Sequence, residues 1–234
     1  MIFEDLYEIL IKKEKQRMII GVTGFVGSGK TSFSREFAQF LNEKNINSIH
    51  FNMDIYNSTT RAERNEIISS LDKIYDPFWP KKAYAQNHDL IREHLTNIKQ
   101  EKSFSVNNLC NPQTKELNFA IKFLFNKDST IVNLGENENQ YNSNNSWIIC
   151  DGVKIMEHKE FFDCIIFLNA EYATRFNRIL ERNNKLPSPA KIKDNLFKDV
   201  EDGLNLDHGL SEKHAHIIID NNDFENRTIT KREY

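Results

Sequence analysis

Apolar residues along this chain follow two rhythms. Near-continuous apolar runs at 18–23, 147–152, 163–168 and 216–220 read as short strands buried on both faces, and the alternating stretch Ser48-Ile49-His50-Phe51-Asn52-Met53 reads as a further strand. Between them the apolar positions move to helical spacing. Phe3, Leu6, Tyr7, Ile9 and Leu10 predict an amphipathic helix over 3–16 that covers the sheet edge. Further helices are predicted over 32–41, 60–74, 87–99, 170–184 and 191–204, with Pro187-Ser188-Pro189 breaking the fifth from the sixth. Residues 104–135 alternate enough for short strands, with Asn126-Lys127-Asp128 as a hairpin turn. The Asn-rich stretch 136–146 reads as a flexible surface loop, and the tail from Asn221 is polar. Strands alternating with helices, without repeats or linkers, predict one α/β domain over 1–234. Its core is a doubly wound, mostly parallel five-stranded sheet flanked by helices. It carries an N-terminal helix within 1–17, a small β insertion at 104–146 and a lid at 183–193.

The loop after the first strand supplies the first chemistry. Gly24-Phe25-Val26-Gly27-Ser28-Gly29-Lys30-Thr31 fits G-x-x-x-x-G-K-[ST], and a helical pattern opens at Ser32. Strand, glycine-rich loop and helix in that order are what a phosphate-binding loop requires, so the fold expected is that of a P-loop NTPase. The glycines let backbone N–H groups converge on phosphate oxygens, and the helix N-terminus adds positive potential. Residues 24–32 are therefore the candidate nucleotide cradle. Lys30 is placed at the β- and γ-phosphates and the Thr31 hydroxyl on Mg²⁺.

Two carboxylates fall where such a site needs them. Ligands gather at the carboxyl ends of parallel strands, and Asp54 and Asp151 both follow strand ends. Phosphoryl transfer to an alcohol requires a metal-bound triphosphate and a base for the hydroxyl proton. Asp151 suits the metal and Asp54 the base. As structural alternatives, Asp151 would cap a helix before Gly152 and Asp54 would form a turn.

These motifs resemble the uridine kinase/phosphoribulokinase family of phosphate-loop kinases over roughly 18–220. The loop Gly21 to Thr31, the strand Ile148-Ile149-Cys150-Asp151-Gly152-Val153, and Phe162-Asp163-Cys164-Ile165-Ile166-Phe167-Leu168 followed by Arg175, Arg178 and Arg182 carry the likeness, with His214-Ala215-His216-Ile217-Ile218-Ile219 as the last strand. The resemblance implies ATP and Mg²⁺ as cofactors and Lys30, Asp54, Arg178 and Arg182 as catalytic residues. It also implies Asp54, Tyr56 and Asp76 at a small-molecule hydroxyl acceptor, with Asp76 on the sugar hydroxyls, and often a homo-oligomer. Leu109-Cys110-Asn111-Pro112-Gln113-Thr114-Lys115 lacks the Tyr-Asp pair and His with which uridine kinases read a pyrimidine. Asn183 to Pro189 replaces lid arginines and is more similar to nicotinamide riboside kinases of the same family. A nucleoside or related sugar-bearing acceptor, nicotinamide riboside or pantothenate, and a nucleotide-binding protein with weakened catalysis are the readings this leaves.

Composition narrows the field. A net charge of −3 and a pI near 6.2 give no field for nucleic acid. No apolar run reaches membrane-spanning length, and acids at Glu4 and Asp5 argue against a signal peptide, so a cytoplasmic protein is expected. Cys110, Cys150 and Cys164 are odd in number and show no C-x-x-C spacing, and Cys150 and Cys164, in apolar strand-like runs, read as buried thiols. A GTPase switch is disfavoured because Asn126-Lys127-Asp128-Ser129 has Ser where a guanine reader needs Asp. His214 and His216 lack a third metal ligand. Phe78 and Trp79, in the stiff turn Tyr75-Asp76-Pro77-Phe78-Trp79-Pro80, read as a hydrophobic plug.

Overall fold

The computed structural model describes residues 2–70, 82, 85–126, 129–135, 137–142, 146–185 and 212–233. Helix α1 (Ile2–Ile11) leads into β1 (Arg17–Gly24), α2 (Lys30–Glu43) and β2 (Asn47–Asn52). A single 3-10 turn, Met53–Tyr56, precedes α3 (Arg61–Ser70) and α4 (His88–Lys99). Strands β3 (Phe104–Cys110), β4 (Leu117–Phe125), β5 (Ser129–Leu134) and β6 (Asn137–Asn142) follow. The chain then returns to β7 (Ser146–Asp151), β8 (Cys164–Asn169), α5 (Tyr172–Asn184), β9 (Ile217–Asp220) and β10 (Thr228–Arg232).

The main sheet runs β10-β9-β8-β1-β7-β2. All its pairs are parallel except β10 with β9. It thus has six strands rather than the expected five, because the polar tail contributes an antiparallel edge. Thr228-Ile229-Thr230-Lys231-Arg232 half-buries only Ile229 and Lys231 among exposed neighbours, a charged edge pattern that resists further pairing. The insertion is a separate antiparallel sheet in the order β3-β4-β5-β6. Its last strand lies inside the stretch expected to be a loop, held by backbone pairing to β5 from Leu134↔Asn137 to Ser129↔Asn142. Backbone pairing needs no apolar side chain, so composition hid it.

Alternate residues of the central strands sort into two cores. Met18, Ile20, Trp147, Ile149 and Ile166 pack with Phe3, Leu6 and Leu10 of α1 and Phe33, Phe37 and Leu41 of α2. Helix α1 therefore lies on a sheet face beside α2, with the Phe3 ring 5.3 Å from Phe33. It stops at Ile11 because 12–16 offer no apolar position to continue the stripe. On the other face, Ile19, Ile148, Cys150 and Ile165 pack with Ile91 and Leu95 of α4 and with Phe123 of the insertion. The three cysteines are buried thiols. The predicted helix over 191–204, the lid beyond Lys185, and the segment with Asp76, Phe78 and Trp79 lie outside the described residues.

One buried histidine ties the second core to pH. The Tyr56 hydroxyl sits 2.9 Å from His94 Nδ1, Phe104 stacks on the imidazole at 4.5 Å, and burial lowers the His94 pKa from 6.5 to about 4. The unfolded chain binds the proton more readily, so this contribution to stability is complete above about 6.5 and is lost as the pH falls towards 4. His158, also lowered to about 4 by burial and by His88, acts with the same sign. A urea midpoint measured at pH 5 is therefore expected to fall below that at pH 7. His94→Gln, which can still accept the Tyr56 hydroxyl, should shrink the difference without removing the part due to His158.

Candidate functional site

The C-terminal ends of β1, β2, β7 and β9 converge on the loop 24–29. Gly27 (φ +82) and Gly29 (φ +89) take left-handed conformations. A Cβ on Gly27 would stand 2.6 Å from the Arg175 carbonyl oxygen, and one on Gly29 2.8 Å from Asn221 Nδ2. Both positions exclude side chains as well as favouring glycine. Helix α2 opens directly from Gly29 with no side-chain cap, so its first N–H groups lack an intrahelical acceptor and face outward. The Phe25 ring turns inward, edge-on to Phe167 at 5.5 Å, and Val26 packs on the same core. These two residues therefore offer their backbone rather than their side chains. The Ser28 hydroxyl is buried without a hydrogen-bond partner.

Lys30 folds over the loop, donating to the carbonyls of Gly24 (3.0 Å) and Phe25 (2.9 Å). Burial lowers its pKa to about 8, while the charges of Asp151 and Asp54 oppose that shift and Arg182 and Arg175 add to it. Both carboxylates and both arginines therefore lie within electrostatic reach of the ammonium. The Thr31 hydroxyl donates to Asp151 Oδ2 at 2.6 Å. Asp151 is 3% exposed, and its other oxygen is 2.6 Å from His50 Nε2. A hydroxyl and a carboxylate oxygen are hard donors of the kind Mg²⁺ takes with phosphate oxygens and water, so this pair fits that ion.

His50 was not foreseen. Strand β2 aligns with β7 so that His50 stands opposite Ile149 and Asn52 opposite Asp151, which puts His50 and Asp151 on one face. The available signal was a polar residue two positions before a strand end, on the same strand face as the position that pairs with a carboxylate. Asp54 follows in the 3-10 turn, its N–H bound to Asn52 Oδ1 at 2.7 Å, and its Oδ2 lies 3.4 Å from Lys115 Nζ. Tyr56, expected at the acceptor, is 2% exposed and turned into the core. Asp76 lies outside the described residues.

Opposite the loop a cleft of about 390 Å³ is bounded by Arg178, Arg182, Lys185 and Phe224. Arg182 is exposed at its rim. Arg178 is committed differently: its Nη2 donates to the carbonyls of Asn221 (2.7 Å) and Asn222 (2.9 Å), and its guanidinium lies 3.8 Å over the Phe224 ring. Asn221 in turn donates to the Ser28 carbonyl at 2.6 Å and accepts from Arg227 Nε at 2.8 Å. The loop after β9 thus braces the phosphate loop. Its signal was two asparagines directly after a strand end, the rule that had picked out Asp54 and Asp151. Arg175 is buried, bonding the Ala170 carbonyl at 2.8 Å and stacking on Phe25.

A parallel α/β sheet whose first strand feeds such a loop, with two carboxylates at neighbouring strand ends, defines a phosphate-loop kinase fold. The chain belongs to the phosphoribulokinase/uridine kinase family, whose model matches residues 19–185. Solved structures with the same fold include a possible uridine kinase from Bacillus stearothermophilus, 18% identical, with a TM-score of 0.55 over 93% of this chain and 99% of that one. Phosphoribulokinase from Rhodobacter spheroides is 9% identical, with a TM-score of 0.56 over 88% and 70%. D-glycerate 3-kinase from Cryptococcus neoformans var. grubii is 8% identical, with a TM-score of 0.53 over 91% and 89%. No curated protein sequence matches the chain. Among the described residues no helix is long and apolar enough to cross a membrane.

Proposed function

We propose that this protein is an ATP-dependent kinase that moves the γ-phosphoryl group to a hydroxyl of a small sugar-bearing metabolite. The observation that carries the reading is the 2.6 Å contact between Thr31 and Asp151, set beside an uncapped helix N-terminus and a half-buried lysine folded over the loop. Membership of a kinase family supports it.

Backbone N–H groups of 24–32 grip the phosphates, and Lys30 leaves the loop carbonyls for the β- and γ-phosphate oxygens. Thr31 and Asp151 would hold Mg²⁺, which would supply charge neutralisation on the polyphosphate. His50 fixes the orientation of the Asp151 carboxylate. The acceptor oxygen forms a bond to the γ-phosphorus, the bond from that phosphorus to the bridging oxygen breaks, and its electron pair leaves with ADP. The acceptor proton passes to Asp54. Arg182 at the rim neutralises charge on the transferring group. The commitment of Arg178 to Asn221 and Asn222 favours a second reading, a nucleotide-binding protein with weakened catalysis, because one expected cation is already engaged.

Uridine and cytidine are poor candidates, since Leu109, Cys110 and Asn111 occupy the segment that would read the base and Cys110 is fully buried. ADP release measured with uridine, nicotinamide riboside, pantothenate, D-glycerate and ribulose 5-phosphate tests the reading. At least one acceptor is expected to raise turnover well above background hydrolysis. Background rates with all of them, alongside ordinary ATP affinity, would leave the second reading in its place.

A further inference from the structure

We propose that the acceptor carries an anionic group, a carboxylate or a phosphate monoester, seated on Lys115 beside Asp54. The inference rests on the phosphoryl-transfer reading for the identity of the reacting hydroxyl, but the seat itself is argued from the acceptor side of the site alone.

Lys115 ends the tight turn between β3 and β4. Asn111 builds that turn: its N–H donates to the Glu116 carbonyl at 2.7 Å, its carbonyl accepts from the Lys115 N–H at 2.9 Å, and its Oδ1 accepts from the N–H groups of Gln113 and Thr114. The turn forces Lys115 to φ +62, a left-handed conformation that glycine adopts freely and a lysine adopts at a cost. A strained backbone position held by a long charged side chain points to a use for the side chain. Here it crosses from the insertion to the end of β2 and sets Nζ 3.4 Å from Asp54 Oδ2. Arg64 of α3 lies in the same neighbourhood. Burial raises the Cys110 pKa, and the charges of Lys115, Arg64, Asp54 and Glu116 all act on that thiol, so the four lie within electrostatic reach of it.

An ammonium on one oxygen of the intended base is an obstacle to proton transfer unless something draws it away. The contact is long for an ion pair and partly open to water, with side chains 20% and 41% exposed, so it exchanges easily. An anion on the acceptor gives Lys115 a second partner. As the substrate binds, the ammonium moves to it and the Asp54 oxygen is left free for the acceptor hydroxyl. A neutral acceptor gives Lys115 nowhere to go, which is selection by a group left unpaired against the wrong ligand.

Matched pairs test this by calorimetry on the full chain saturated with Mg²⁺ and a non-hydrolysable ATP analogue, which fills the phosphate loop. The pairs are D-glycerate with glycerol, pantothenate with pantothenol, and ribulose 5-phosphate with ribulose. A hydrogen bond to a charged group discriminates by about ten- to a hundredfold. The anionic member of at least one pair is expected to bind tighter by that factor. The glycerate and pantothenate arms report a carboxylate, and the ribulose arm a phosphate. Lys115→Met should erase the preference and Lys115→Arg should keep most of it. Lys115→Gly relieves the left-handed strain, so it should be at least as stable as wild type and still lose the preference. Equal binding within every pair, a preference that survives in Lys115→Met and Lys115→Gly, or no binding of any anionic member would each overturn the proposal. An anionic compound that binds through Lys115 yet yields no ADP with ATP would support the seat and count against phosphoryl transfer.

Discussion

Lys30→Met is expected to abolish turnover, by about a thousandfold or more, while leaving the nucleotide-free protein no less stable than wild type. Electrostatic donors aimed at a transferring phosphoryl group are worth about that much. The unusual half of the expectation is the stability. Burial lowers the Lys30 pKa to about 8, which means that the charged ammonium is costly to keep in the folded chain. Its two bonds to the Gly24 and Phe25 carbonyls offset part of that cost, and a methionine fills the same volume without a charge. A residue kept where it strains the empty fold is kept for its ligand. Thermal melts should therefore separate the two effects. The variant's melting temperature without nucleotide should equal or exceed that of wild type, while the rise produced by Mg²⁺ and ATP should largely vanish. A variant that is destabilised when empty, yet still shifted normally by nucleotide, would mean that Lys30 supports the loop rather than the phosphates.

The parts of this site that were legible in the sequence are local ones. The loop 24–31 declares itself because strand, glycines, lysine and helix are contiguous, and Asp151 because it ends an apolar run that no surface segment would carry. What the sequence hid depends on which elements meet. His50 reads as one more polar position in an alternating strand until β2 is laid against β7. Tyr56 looks like an aromatic near the acceptor until α4 brings His94 to its hydroxyl. The loop after β9 looks like a polar tail, but Asn221 reaches back across the chain to the Ser28 carbonyl and β10 closes the sheet behind it. In each case the chemical type of the residue was visible and its partner was not, since the partner lies dozens of residues away and is chosen by packing.

Asp54→Asn is expected to separate binding from chemistry. Asp54 stands on a 3-10 turn whose geometry is set by Asn52, which accepts its N–H, so replacing the side chain leaves the turn's own hydrogen bond in place. The phosphate loop and the Thr31–Asp151 pair are built from other elements, and affinity for Mg²⁺ and ATP should stay within about threefold, the spread expected for a site that loses no direct contact. The amide cannot accept the acceptor proton, and loss of a positioned base costs about a hundred- to ten-thousandfold in kcat. An asparagine also leaves Lys115 without its carboxylate partner, 3.4 Å away in the wild type. An anionic acceptor should then bind as well as before, or better, even as its phosphorylation slows. Single-turnover kinetics with pre-bound ATP read the chemical step directly. If that step keeps its wild-type rate, the proton leaves by another route, and Asp54 is there to hold Lys115 in place until the acceptor arrives.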